Sequence, residues 1–290
     1  MNAASFESVL DPQTRLGECP VWSVAEQALY FVDITGRKLH RFDPRSRGHT
    51  VFEVFEEIGC FGLARDGGFV AGLRSGVWLL DSQARAVRQL AANPENTASS
   101  RFNDGRVDPA GCFVAGTLDE TKAAGNAALY RFDGRALTQL DTGLLTCNGC
   151  AFSPDGKTLY HSDTPRFVVY AQDYDSSSGA VANKRVFVKL TPQGGDRGRP
   201  DGAAVDVDGC YWSSLYEGSR VQRYDPSGKL MAEYPVPAKK PTMPAFGGQD
   251  LKTLFVTSVI DAQDPNGGRL FAMPVDTAGL PTTLFDTKQS

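Results

Sequence analysis

The chain has only three histidines, His40, His49 and His161. No G-x-S-x-G run accompanies them, so a histidine-based nucleophile triad has no elbow to present its serine. No run of 18 apolar residues occurs, which excludes a helical membrane span. There is no basic stripe, and 30 Lys and Arg against 34 Asp and Glu leave a net charge of −4. Nucleic acid is therefore not an expected partner. The opening residues, Met1-Asn2-Ala3-Ala4-Ser5-Phe6-Glu7, lack a basic segment followed by an apolar core. No secretory signal is expected from them, and the expected location is cytoplasmic. Helical periodicity is nearly missing: no long segment places apolar residues at i, i+3, i+4 and i+7. Six cysteines are scattered, mostly in or beside apolar strands, and read as buried reduced thiols. Cys147-x-x-Cys150 has no second pair and opens no helix, so a zinc or redox reading lacks its context.

What the sequence does have is a repeat. Ser100-Arg101-Phe102-Asn103-Asp104-Gly105 leads, through a turn at Asp108-Pro109-Ala110-Gly111, into the apolar run Phe113-Val114-Ala115. The form returns in Asn148 to Gly156 followed by Leu159-Tyr160, and in Asp201 to Gly209 followed by Tyr211-Trp212. Each copy reads as strand, tight turn, strand. Aligning the turn glycines and the apolar runs gives six units whose register positions are Glu18, Gly59, Asn103, Asn148, Asp201 and Met243. Four short strands per unit at a spacing of about 45 residues is the pattern of a β-propeller. The expected fold is all-β, one six-bladed propeller over residues 1–290. The segment around Phe6-Glu7-Ser8-Val9 is expected to add the outer strand of the last blade and so hide two sheet edges.

In a propeller the innermost strands line a central channel, and equivalent positions at their starts converge at one mouth. Four of the six positions here bear oxygen: Glu18, Asn103, Asn148 and Asp201. An oxygen-only set with two carboxylates suits a hard divalent cation such as calcium, magnesium or manganese. The alternative is that these residues only cap hairpins, since Asn and Asp before Gly are common turn residues. Glu18, before Cys19-Pro20, fits that alternative poorly.

The sequence resembles the gluconolactonase family of six-bladed propellers, which includes regucalcin and bacterial sugar lactonases. The resemblance runs over nearly the whole chain. It is carried by Leu16-Gly17-Glu18-Cys19-Pro20-Val21-Trp22, Ser100 to Gly105, Asn148-Gly149, Ser153 to Lys157, Pro200-Asp201-Gly202 and Phe246-Gly247-Gly248. It implies one divalent metal ion held by Glu18, Asn148 and Asp201, with calcium first and zinc, manganese, magnesium or iron as alternatives. It implies substrate contacts from Arg101, Asn103 and a third-blade carboxylate, Glu120, for which Asp119 competes. It also implies that Asp201 is the catalytic base. Metal ligation would lower that residue's basicity, so its role as ligand and its role as base stand apart. The implied activity is metal-dependent hydrolysis of an aldono- or aldaro-lactone, and the expected partner is that small sugar lactone. A monomer or small homo-oligomer is expected.

Two other classes remain open on the sequence: a non-catalytic, calcium-binding propeller, and a metal-dependent hydrolase of esters or organophosphates. A fold alone does not decide between them. The pair Arg101 and Asn103 favours an enzyme, because a scaffold has no need of it. Tyr216 and Glu217, in a turn of the fifth unit, are either channel-mouth residues or an ordinary surface turn.

Overall fold

The computed structural model describes residues 4–287. The turn signals close hairpins: Gly67, Gly111, Gly156 and Gly209 adopt φ of +93°, +85°, +70° and +81°, a region open to glycine at little cost. Each hairpin joins the first two strands of a blade, and the apolar runs on either side become those strands.

The short N-terminal strand is β1 (Glu7–Leu10). The first blade is β2 (Gly17–Ser23), β3 (Ala28–Asp33), β4 (Lys38–Asp43) and β5 (Gly48–Glu53). The second is β6 (Ile58–Leu63), β7 (Phe69–Leu73), β8 (Gly76–Leu80) and β9 (Ala86–Ala92). The third is β10 (Ser100–Val107), β11 (Phe113–Asp119), β12 (Ala127–Phe132) and β13 (Leu137–Leu144). The fourth is β14 (Cys147–Phe152), β15 (Thr158–Asp163), β16 (Val168–Asp175) and β17 (Ala180–Lys189). The fifth is β18 (Arg199–Val205), β19 (Tyr211–Tyr216), β20 (Arg220–Tyr224) and β21 (Leu230–Pro235). The sixth is β22 (Pro241–Gly247), β23 (Thr253–Ser258) and β24 (Leu270–Pro274), completed by β1 in the order β1-β24-β23-β22.

Every ladder is antiparallel, and the first strands contact one another in a closed ring from β2 through β6, β10, β14, β18 and β22 back to β2. This is the all-β, six-bladed propeller. The one helical element lying wholly among the described residues is the 3₁₀ turn Thr164–Arg166, and among those residues no helix is long and apolar enough to cross a membrane.

The core lies between neighbouring blades. Val114 and Leu129 of the third meet Cys150, Leu159 and Tyr174 of the fourth. Trp22 and Phe31 of the first meet Phe255 and Leu270 of the sixth, and the Trp22 and Phe255 rings stack at 5.8 Å. All six cysteines are buried. A polar device repeats inside the blades. Asp108 accepts from Ala110 N and Cys112 N across its hairpin and pairs with Arg131 at 2.9 Å. Asp206 does the same for Asp208 N and Cys210 N and pairs with Arg223 at 2.7 Å.

One end of the channel is crossed by the C-terminal segment. Thr282 donates to Trp22 O, Phe285 N to Leu63 O, and Asp286 N to Gly111 O. Phe285 is buried and stacks near Phe132 at 6.3 Å. A cavity of about 260 Å³ lies there, lined by Val21, Phe61, Phe152, Phe246 and Arg106 among others. The oxygen-bearing register positions lie towards the other end.

Candidate functional site at the channel mouth

The innermost strands share an irregularity that aims their side chains. Pairing with the second strand slips between Glu18 and Val21, Ile58 and Cys60, Phe102 and Gly105, Asn148 and Ala151, Pro200 and Ala203, and Pro241 and Pro244. A bulge adds a residue to one strand and turns its side chain out of the pleat. Here six bulges at one end of six strands turn the register residues toward the axis. The backbone shows the cost: Cys19, directly after Glu18, sits at φ +47°, and Gly149, after Asn148, at φ +61°. A Cβ on Gly149 would stand 2.3 Å from the Tyr211 hydroxyl and 3.0 Å from Asp201 O.

Two register positions, Gly59 and Met243, carry no oxygen. A Cβ at Gly59 would fall 2.1 Å from Phe102 O, and one at Gly202 would fall 2.3 Å from Met243 Cβ. At Gly59 the neighbouring blade leaves no room for any side chain, and at the other position the apolar Met243 side chain packs against Gly202, which must stay bare to receive it.

Three of the other four positions, Asn103, Asn148 and Asp201, form one array with Arg101. Arg101 Nη1 donates to Asn103 Oδ1 at 2.8 Å and to Phe102 O at 3.0 Å. Asn103 Nδ2 donates to Asn148 Oδ1 at 2.5 Å and to Cys147 O at 3.1 Å. Asn148 Nδ2 donates to Asp201 Oδ1 at 2.6 Å and to Thr164 Oγ1 at 2.8 Å, and Thr164 Oγ1 donates to Pro200 O at 2.8 Å. Polarity runs one way along this chain. A guanidinium only donates, so Asn103 must turn its oxygen to Arg101 and its nitrogen to Asn148. Thr164 gives its proton to Pro200 and so receives from Asn148. The Asn148 oxygen keeps one lone pair beyond the bond it accepts.

Glu18, Arg101, Asn148 and Asp201 are all buried. Burial, then the negative charges of Asp201 and Asp104, push the Glu18 carboxyl well above the usual carboxylate range. Burial, then Asp104, does the same for Asp201. Among the described residues, Glu18 Oε2 accepts only from Cys19 N, at 3.3 Å. Asp104, which the repeat alignment did not single out, is the third carboxylate. It accepts from Gly105 N at 2.7 Å and Cys150 N at 2.9 Å, and burial raises it to about 6. Its signal in the sequence was adjacency to Asn103, which the pairing slip in β10 converts into a place on the channel.

Glu120 stands one layer out. Arg74 Nη2 reaches Glu120 Oε1 at 2.5 Å and Glu57 Oε2 at 2.6 Å, and the charges of Glu57, Arg74 and Glu120 all bear on Arg101. Asp119 has a different task. It closes β11 as Asp33 closes β3 and Asp163 closes β15, and its carboxylate accepts from Thr121 N at 2.9 Å and Thr121 Oγ1 at 2.6 Å. Glu120 is therefore the one of the two that faces the Arg101 side of the mouth.

Arg199 and Tyr216 belong to the same mouth. They are register partners across β18 and β19. The guanidinium lies 4.9 Å from the centre of the Tyr216 ring and pairs with Glu217 at 2.9 Å. Arg199 stands two residues before Asp201 as Arg101 stands two before Asn103, a signal present in the sequence and not used. Among the described residues, no three His, Cys, Asp or Glu side chains form a group that could hold a metal ion. The expected set has two carboxylates and one amide.

The chain is thus a six-bladed propeller whose channel mouth is lined by oxygen, partly carboxylate, with an arginine beside it. The chain belongs to the SMP-30/Gluconolactonase/LRE-like family, whose model matches residues 16–260. It is 45% identical to a 6-deoxy-6-sulfogluconolactonase of Pseudomonas putida, over 97% of this chain and 98% of that protein. It is 35% identical to a pentonolactonase of Haloferax volcanii, over 97% and 98%. Among solved structures, a calcium-binding regucalcin of Agrobacterium tumefaciens superposes with a TM-score of 0.91 at 26% identity, covering 97% of both chains.

Proposed function

We propose that this chain, an enzyme of the lactonase class, hydrolyses the ring ester of a sugar-acid lactone at the mouth formed by Glu18, Arg101, Asn103, Asn148 and Asp201. The observation that carries the reading is the one-way hydrogen-bond chain from Arg101 to Asp201. It joins a cationic donor suited to sugar oxygens, through two amides, to a buried carboxylate. The lactonases among its relatives support the activity.

The donor set fits a hard divalent cation. Glu18 and Asp201 are buried carboxylates raised by burial and by neighbouring negative charge, a conflict that a cation would relieve. Asn148 offers the free lone pair of Oδ1. These three residues would hold the ion, calcium first. Bound there, it would supply carbonyl polarisation and a more acidic water.

The chain's own groups do the rest. Asp201 Oδ1 is held by Asn148, which leaves Oδ2 to take a proton from the attacking water. Water oxygen bonds to the carbonyl carbon, the carbon–ring oxygen bond breaks, and a proton ends on the released hydroxyl. Arg101 presents fixed N–H donors to hydroxyls or to the product carboxylate. Asn103 has both N–H donors engaged, so it positions Asn148 and offers the substrate only a lone pair on Oδ1. Glu120, anchored by Arg74, accepts hydroxyl protons at the outer edge. The substrate is a small molecule, and neither nucleic acid nor membrane is a partner. The protein acts in the cytoplasm as a monomer or small homo-oligomer.

Proton release from gluconolactone and pentonolactones in weak buffer tests this, with and without a chelator. Enzyme-dependent acid production that the chelator stops and calcium restores is expected. No rate above spontaneous hydrolysis on any lactone would leave the non-catalytic binding propeller as the better reading.

A further inference from the structure

The cations around the mouth are not equivalent. Arg101 is tied to Phe102 O and Asn103. Arg74 is held by two carboxylates, Glu57 and Glu120. The fifth-blade flank differs: it gathers Arg197, Arg199, Lys240 and the nearby Lys122 against Glu217 and Asp261, while the neighbouring Asp196 is taken by Arg220 at 2.8 Å. Glu217 pairs with Arg199 at 2.9 Å and lies 3.8 Å from Arg197. Asp261 pairs with Lys240 at 2.9 Å. Lys122 makes no ion pair among the described residues, yet its charge and that of Arg199 are the two cationic influences on Asp201.

Arg199 also has an unused donor. Its Nε is buried and has no hydrogen-bond partner. A buried N–H left unpaired is costly and waits for an acceptor. Tyr216 fixes the guanidinium plane from one face, and Lys240 Nζ stands 5.8 Å from the centre of that same ring. The result is a preset fork of the kind that binds a planar or tetrahedral oxyanion.

We propose that Arg199, supported by Lys122 and Lys240, binds an anionic substituent of the lactone remote from its carbonyl, so that the substrate class is the acidic sugar lactones, which carry a sulfonate or second carboxylate. This deepens the lactonase reading and rests on it. The cation sites differ in what they can take. A divalent ion on Glu18, Asn148 and Asp201 would be offset by those two carboxylates and would face the carbonyl oxygen, whereas Arg199 shares a single carboxylate with Arg197. An acidic lactone is therefore admitted with its tail on the Arg199 flank and its carbonyl toward Asp201. The cationic flank selects the substrate and fixes which end of it meets the centre.

The test is kcat/KM for gluconolactone, 6-deoxy-6-sulfogluconolactone and an aldarolactone in wild type, Arg199→Gln and Glu217→Gln. Wild type is expected to favour at least one acidic lactone by about tenfold or more, the size of one charge-assisted contact. Arg199→Gln should cut the acidic-to-neutral ratio by a similar factor. Glu217→Gln, which keeps an acceptor for Arg199 but removes the competing charge, should raise it. The Glu217 variant decides the matter if Arg199→Gln does not fold. The sulfonate and carboxylate arms show which anion the fork takes. A wild-type ratio near one, a ratio unmoved by Arg199→Gln, or one lowered by Glu217→Gln overturns the proposal. Hydrolysis without acidic preference sinks this inference alone, whereas no hydrolysis of any lactone sinks the lactonase reading beneath it.

Discussion

Arg101 Nη1 donates to Asn103 Oδ1 at 2.8 Å, and that single contact sets the direction of both amides at the mouth. Replacing Arg101 with Lys keeps a donor, so Asn103 and Asn148 keep their orientation and calcium affinity should stay within about threefold, as for a substitution outside the ligand set. Lys lacks the planar fork and cannot reproduce paired contacts to neighbouring hydroxyls. Loss of one charge-assisted hydrogen bond, about 1.5–3 kcal/mol, should lower kcat/KM by roughly 10- to 150-fold. Steady-state kinetics beside calorimetry read both quantities, and wild-type kcat/KM in the variant would remove Arg101 from the site.

Gly149→Ala tests the backbone beneath the array. At φ +61°, with Tyr211 Oη and Asp201 O beside the missing Cβ, alanine must displace either the fifth-blade inner strand or the Tyr211 hydroxyl that donates to Gly149 O at 2.9 Å. A loss of about 1–3 kcal/mol is expected from strain and overpacking. Thermal unfolding should show it as a Tm lower by several degrees. An unchanged Tm with unchanged activity would mean that the strand gives way freely.

The pH dependence of stability should carry a mark of His40. Burial, then the neighbouring His49, lowers it from 6.5 to about 4. Its Nδ1 lies 2.9 Å from His49 Nε2, and its ring stacks on Phe31 at 4.7 Å. Between these two values the unfolded chain binds a proton that the folded chain refuses. Stability therefore rises with pH through this window and is lost as pH falls from about 6.5 toward 4, by at most about 3 kcal/mol. His40→Phe keeps the stack and removes the titration. Urea midpoints measured across that window should be flatter in the variant, and an identical slope would contradict the assignment.

The sequence shows the architecture through its inner strands and hides the outer ones. Inner and second strands are apolar runs, several of them joined at a turn glycine, and β11 begins at Phe113, where the apolar run after the turn at Gly111 starts. The outer strands β9, β13 and β21 are solvent-facing over most of their length, so no alternation betrays them. The channel oxygens Glu18, Asn103, Asn148 and Asp201 were legible because the repeat puts them in register. Asp104 was not, since strict alternation would point it away from the axis and only the slip in β10 brings it in. Arg199 was legible in principle, two residues before Asp201, but its unpaired Nε and its seat on Tyr216 depend on contacts across strands. The different contacts of Asp119 and Glu120 were not legible either, because only in the structure does Asp119 hold the turn at Thr121 while Glu120 meets Arg74.

The most direct measurement is the initial rate of lactone opening by Asp201→Ala, corrected for spontaneous hydrolysis, on the best substrate of the wild type. Asp201 links the Asn148 amide to the proposed cation and to the attacking water, so both functions fall together in that variant. The expected result is a loss of about 10²–10⁴-fold in kcat/KM, with calcium binding by calorimetry weakened in parallel. A variant that keeps the wild-type rate within about threefold would contradict the account of the channel mouth as the place where the lactone is opened.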